Sequence, residues 1–222
     1  MTTRVLLVDD HQMVREGLRA VLEQDDAFSV VGEASSGREA VRLAEQLQPD
    51  VVVMDVAMSD LNGIEATRQI RSLVPDSAVV ALSSHSDRRY VMAILAAGAC
   101  GYVLKANAYE QLARGVSAAA RGMKYLSPDV TSEIIDAAFR DEGLQGSVYE
   151  VLGPREREVL QLLAEGFTSI QIAERLSVSP STAETHRRNI MRKLDVHNVA
   201  DLTKYAIREG LTTLEAPRGR KP

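Results

Sequence analysis

Asp55 follows four consecutive apolar residues in VVVMDVAMSDLNG (51–63), where one more hydrophobe is the ordinary choice. Two further acids, Asp9 and Asp10, close VLLVDD; Ser83 closes AVVALS, and Lys105 closes GYVLK. Three carboxylates, a hydroxyl and an ammonium are parts that can hold a hard cation together with a phosphate. Two unit charges about 4 Å apart repel by about 4 kcal/mol at an effective dielectric near ~20, so convergent carboxylates require a cation or raised pKa values. Oxygen-only ligands suit Mg2+, which keeps several waters and takes one or two carboxylates plus a phosphate. Each residue alone has a plainer reading: an Asp after a strand caps a helix, a Lys there is solvated, and a lone Ser is seldom functional. Their joint occurrence is hard to dismiss if the fold brings them to one crevice.

The elements that must position them follow from periodicity. Short apolar runs at 5–10, 28–34, 51–55, 78–83 and 101–105 alternate with amphipathic stretches near 13–24, 37–47, 64–73, 88–97 and 108–121, the signature of strand-helix units around a parallel sheet. In the first amphipathic stretch Val14, Leu18, Val21 and Leu22 share one helical face. Five such units predict an α/β, flavodoxin-like, doubly wound five-stranded parallel sheet of order 2-1-3-4-5. Its functional crevice lies where the order reverses, outside the C-terminal ends of strands 1 and 3. Those ends carry Asp9, Asp10 and Asp55.

A length of 222 residues suits two modest cores. No apolar run approaches the roughly 18 to 20 residues of a membrane span, the N-terminus has no signal-peptide layout, and the single Cys100 can form no internal disulfide; the expectation is a cytoplasmic protein without a membrane partner. Cys100 reads as a small buried residue rather than a reactive thiol. The net charge of −5 argues weakly against indiscriminate nucleic-acid binding, but the signs are segregated. Residues 127–152 hold six acids and one base, whereas Thr185–Lys193 holds Arg187, Arg188, Arg192 and Lys193 and no acid.

Pattern and composition change at Ser127. Residues 127–152 read as a linker helix and a flexible joint, 153–213 show helical periodicity only, and 214–222 read as a disordered tail. Breaks at Gly166, SVSPS and near VHN predict four helices. Thr168 caps the second, and Ser179 caps a third that starts at Pro180, giving a helix-turn-helix. On that third helix Ala183, Ile190 and Leu194 face a core. Ser181, Glu184, Thr185, Arg188 and Arg192 fall on another side, suited to a major groove, with Arg187 and Lys193 in reach of phosphates. The bland alternative is a solvated charged face; the preceding turn and scaffold helix weigh against it.

The first half, through DD at 9–10, Asp55 in VVVMDVAMSDLNG, ALSS at 81–84 and GYVLK at 101–105, resembles the receiver domain of two-component response regulators over residues 1–126. The resemblance implies that Asp55 accepts a phosphoryl group from the phosphohistidine of a sensor histidine kinase. Asp10, Asp55 and the Ala57 carbonyl would hold Mg2+, with Asp9 assisting. Lys105 would pair with the acids or phosphate, Ser83 would move to a phosphoryl oxygen, and Tyr102 would swing inward behind it. Two positions depart from the family pattern: Ser59 and Ala106 stand where Pro is common, so a looser loop after Asp55 and no cis peptide after Lys105 are expected. His11 could be called a ligand but reads as a loop residue beside the site.

PREREVL, IAERL, TAETHRRNIMRKL and VADLTKYAIREGL resemble the LuxR-type DNA-binding domain, an all-α four-helix module, across 153–211. Its pairing with a receiver is that of the NarL/FixJ class. The resemblance implies base readout from Glu184, Thr185 and Arg188 and dimerisation through the last helix at Val199, Leu202, Thr203 and Ala206. Here too there are departures: Gly153 replaces a Ser or Thr cap, Ile170 stands where a Lys is common, and Ala183 is smaller than the usual Val. The function implied is a phosphorylation-controlled transcription factor, not a turnover enzyme on an external substrate, though slow autodephosphorylation is compatible. Its partners would be the kinase, double-stranded DNA with inverted half-sites, a second phosphorylated copy and RNA polymerase. An alternative is a DNA-binding regulator that uses its receiver as a phosphorylation-independent interaction domain. A hydrolase with an Asp nucleophile would want a second acid where Ala57 stands, and the chain has no Gly-rich phosphate loop.

Overall fold

Strand β1 (Thr3–Val8) is apolar at Val5, Leu6, Leu7 and Val8, all fully buried, because helices cover both faces of the sheet it joins. In the computed structural model, which describes residues 2–139 and 148–212, the chain divides into two units, Met1–Gly143 and Leu144–Pro222. In the first, β1 is followed by α1 (Gln12–Leu22), β2 (Phe28–Ala34), α2 (Gly37–Leu47), β3 (Val51–Asp55), α3 (Gly63–Leu73), β4 (Ala78–Ser83), α4 (Arg88–Ala96), β5 (Gly101–Leu104) and α5 (Ala108–Ala120). A 3-10 turn, Lys105–Asn107, joins β5 to α5.

The strand order is β2-β1-β3-β4-β5-β6, every pair parallel. The 2-1-3-4-5 order expected from alternation is present. To these five strands the structure adds a sixth of two residues, β6 (Tyr125–Leu126), which pairs with the outer edge of β5. Register then fixes the crevice: Val8 lies beside Met54, Asp55 beside Leu82, and Ser83 beside Leu104. Side chains such as Val5, Leu7, Val53, Leu82, Leu112 and Val116 form one core, each contributing roughly 1.5–3 kcal/mol by leaving water.

The stretch read as a linker divides. Helix α6 (Pro128–Phe139) packs against α4 and β5, whereas α7 (Val148–Val151) supplies Val148 to the core of the second unit. The expected joint between these helices and the expected tail from 214 lie outside the described residues. The second unit continues with α8 (Pro154–Ala164), α9 (Ser169–Leu176), α10 (Pro180–Leu194) and α11 (Val199–Arg208). Its breaks fall at left-handed residues, Gly166 (φ 89°), Ser177 (φ 52°) and Asp195 (φ 52°), which end α8, α9 and α10.

Candidate functional site

Asp9 and Asp10 lie just past β1, Asp55 ends β3, and Lys105 opens the turn after β5. Lys105 Nζ sits 2.7 Å from Asp9 Oδ2 and 2.9 Å from Asp55 Oδ2, bridging two carboxylates that are 0% and 1% exposed. His11 Nδ1 lies 2.6 Å from Asp10 Oδ1 and 3.3 Å from Asp9 Oδ1. Ligand atoms of Asp9, Asp10, His11 and Asp55 all fall within 4.8 Å of one another. Asp9 Oδ2, Asp10 Oδ1 and Asp55 Oδ2 are buried and accept no aligned hydrogen bond, although Lys105 and His11 approach them as charged or polar neighbours. Oxygens with lone pairs to spare around one point fit a hard cation such as Mg2+.

Burial pushes the Asp55 carboxyl up to about 7; Lys105 opposes this and Asp9 reinforces it. For Lys105 burial works to lower the value, but Asp55 and Asp9 prevail and hold it above the ordinary lysine range. The cluster is therefore strained electrostatically and neutralised only in part by its own lysine.

The loop after Asp55 is held closely despite Ser59. The Ala57 N–H donates to Asp55 Oδ1 (3.3 Å), the Gly63 N–H donates to the Val56 carbonyl (3.0 Å), and Asn62 Oδ1 accepts from the Ile64 and Glu65 N–H groups to cap α3. A Cβ on Gly63 would collide with the Asp55 carbonyl oxygen, so the loop closes against the acid only with Gly there. No peptide bond among the described residues is cis, as Ala106 implied.

On the other side, Ser83 Oγ accepts from the His85 N–H (3.1 Å) and the Tyr102 hydroxyl donates to the His85 carbonyl (2.6 Å). Tyr102 is 0% exposed, and its burial pushes the phenol pKa up. The His85 ring stacks on Tyr90 at 5.1 Å. Through its backbone Tyr102 is also tied to the chain beyond β6, since the Ser127 N–H donates to the Tyr102 carbonyl (3.0 Å).

In the second unit Thr168 and Gln171 form a reciprocal capping box on α9, and Ser179 Oγ accepts from the Thr182 N–H to cap α10. Ala183 and Ile190 are buried, and Leu194 packs at the core's margin. Ser181, Thr185, Arg188 and Arg192 are exposed, with Arg188 Nη2 donating to Thr185 Oγ1 (3.3 Å) and Arg192 Nη2 to Asn189 Oδ1 (3.2 Å). Glu184 accepts from Ser169 Oγ (2.8 Å) and lies 3.8 Å from Arg187 Nη1. Lys193 Nζ is committed to Glu156 Oε2 of α8 (2.7 Å). Burial raises the Glu156 value, but Lys193 and the Gly153 N–H hold it below the ordinary carboxylate range. A phosphate contact from Lys193 therefore competes with an existing pair.

Residues 5–117 match the family described as response regulator receiver domain, and residues 150–206 match bacterial regulatory proteins of the luxR family. The chain belongs to the LuxR-family response regulators. It is 41% identical to the transcriptional regulatory protein LiaR of Bacillus subtilis over 94% of this chain and 98% of that one. It is 36% identical to the response regulator protein VraR of Staphylococcus aureus, over 95% and 99%. Among solved structures, RcsB from Salmonella enterica serovar Typhimurium, bound to promoter rprA with the phosphomimetic BeF3-, is similar with TM-score 0.63 and 27% identity, covering 92% of this chain and 98% of that one.

The geometry corrects one reading in this response regulator. Leu202 and Ala206 are 0% exposed and packed in the core of their own domain, so they cannot face a second copy; Val199 is exposed and Thr203 is part-exposed. Position i, i+4 on α11 served the domain core, not a dimer seam. His11, expected as a loop residue beside the site, lies against the acid pair that it follows in sequence. Among the described residues no helix is long and apolar enough to cross a membrane.

Proposed function

We propose that this two-component response regulator is a phosphorylation-controlled transcription factor, with residues 1–126 as receiver, 127–152 as connection and 153–213 as reader of DNA. The observation that supports it best is Lys105 bridging Asp9 and Asp55 at 2.7 and 2.9 Å, with Ser83 at the neighbouring strand end. Asp55 attacks the phosphorus of a sensor kinase phosphohistidine. The N–P bond breaks, its electron pair returns to the imidazole, and an acyl phosphate forms on Asp55. Asp10, Asp55 and the Ala57 carbonyl would hold Mg2+ with Asp9 assisting, and the ion there supplies charge neutralisation. Lys105 turns from the carboxylates to a phosphoryl oxygen, and Ser83 exchanges its bond from the His85 N–H for one donated to another. Tyr102 holds the space behind Ser83.

Because α4 and β5 flank these groups and α6 packs on both, a change at Ser83 biases the surface that α6 covers. Dimerisation on inverted half-sites then follows from the exposed part of α11 near Val199 and Thr203, and RNA polymerase is the expected downstream partner. The test is the affinity of the full chain for DNA selected from a random pool, with and without a small phosphodonor and Mg2+. We expect at least about tenfold tighter binding with a dimer-sized footprint after phosphorylation. Unchanged affinity and stoichiometry would favour the phosphorylation-independent interaction domain.

The helix α10 reading makes its own prediction. Arg188→Ala should cost about 1–3 kcal/mol at one base pair and little at others, whereas Arg187→Ala, at a residue read as reaching phosphates, should weaken all sequences alike and lower the salt slope by about 1. Competition binding against single-position variants of the selected site, repeated over a salt series, separates the two. Equal behaviour of the two variants would remove Arg188 from base readout.

A further inference from the structure

We propose that Ser169, the first residue of α9, is a specificity-determining residue of the DNA-binding domain, because it positions the Glu184 carboxylate on α10. The inference rests on the reading of α10 as the base-reading helix.

Glu184 is 45% exposed in its side chain, and an exposed glutamate ordinarily samples many rotamers. Here the Ser169 hydroxyl donates to Oε2 at 2.8 Å, and Arg187 Nη1 approaches the same oxygen at 3.8 Å. Both partners engage Oε2, which leaves Oε1 as the acceptor for an incoming donor. The Ser169 hydroxyl is not needed to start α9, since Thr168 and Gln171 already satisfy the first turn by their capping box. Its neighbour Ile170 is 62% exposed, and its side chain has no hydrogen-bond donor. The hydroxyl thus serves the recognition helix rather than its own.

A carboxylate fixed in this way prefers an exocyclic amine at a base edge, cytosine N4 above all, and repels the acceptor edge of guanine. In a DNA groove it would also lie among phosphates, so a mobile carboxylate would mainly weaken binding. Holding one oxygen ties the charge to a single direction and turns a general repulsion into discrimination at one position.

The experiment uses the full chain with a small phosphodonor and Mg2+. DNA is selected from a random pool by the parent, and affinities for every single-position variant of that site are measured for the parent, Ser169→Ala, Ser169→Thr and Glu184→Ala. We expect Ser169→Ala to lose at least about fivefold discrimination at the same base pair that Glu184→Ala relaxes, with non-specific affinity kept within about twofold. Ser169→Thr, which retains the hydroxyl, should restore it, and Ser169→Ala should add nothing in a Glu184→Ala background. Parental discrimination in Ser169→Ala, or an equal loss on every sequence that Ser169→Thr does not rescue, overturns the proposal while leaving base reading by α10 intact. A parent that enriches no sequence overturns both.

Discussion

Replacing Asp55 by Asn removes phosphoryl incorporation, by at least about 100-fold against the parent, when the chain is incubated with a radiolabelled small phosphodonor and Mg2+. The amide keeps the size and the Ala57 N–H contact but has no anionic oxygen to attack phosphorus. Asp9 and Asp10 do not substitute, since both lie past the end of β1 and neither ends β3 beside the strand that carries Ser83. Label retained on the Asp55→Asn chain would end the assignment.

The same substitution should stabilise the receiver. The folded-state pKa of Asp55 stands at about 7, above its unfolded value of about 4, so the native state holds a proton that the unfolded state releases between these limits. Stability from this group is complete below pH ~4, falls as pH rises to about 7, and stays lost above it. Asn escapes that loss. Unfolding free energies of parent and variant from denaturant titration should therefore coincide near pH 4 and diverge by a few kcal/mol at pH 8, the variant being the more stable. Activity here is held at the expense of stability.

Lys105→Met should act in the opposite sense. It leaves Asp9 and Asp55 buried together without their cation, and breaking a buried pair from one side costs about 3–5 kcal/mol. At pH 8 the receiver transition should fall by roughly 10 °C. The loss should shrink at lower pH, where Asp55 takes up a proton, and in the Asp55→Asn background, where one of the two charges is gone. Thermal melts of the four chains of this cycle, over pH 5 to 8 at a fixed Mg2+ concentration, give the coupling. Equal costs of Lys105→Met with and without Asp55 would show that the lysine serves packing rather than charge.

Much of this arrangement is legible in the residues, for physical reasons. A parallel strand covered on both faces must be apolar throughout, so an acid or lysine at its end stands out, and the position of Asp55 and Ser83 in register followed. Boundaries were less legible: Asp9, Asp10 and Lys105 lie just beyond their strands, because nothing in the side-chain pattern marks the last backbone pairing. The strand Tyr125–Leu126 has too few residues to alternate and exists through backbone bonds to β5. On α11 the apolar pair Leu202 and Ala206 fits either a domain core or a partner, and periodicity does not distinguish them. The Ser169–Glu184 bond joins residues 15 apart in different helices, so no local pattern announces it.

The short sixth strand has a consequence for where the first domain ends. The Tyr125 N–H donates to the Cys100 carbonyl and the Ser127 N–H to the Tyr102 carbonyl, each at 3.0 Å, so β6 occupies the outer rim of the sheet. The receiver match stops at residue 117, short of this cover. A chain cut there bares the ladder of GYVL, an apolar segment without proline or charge, and offers it to any other strand. The polypeptide that leads away toward the DNA reader is thus also the sheet's guard against templated aggregation, and a soluble receiver fragment should run at least through α6.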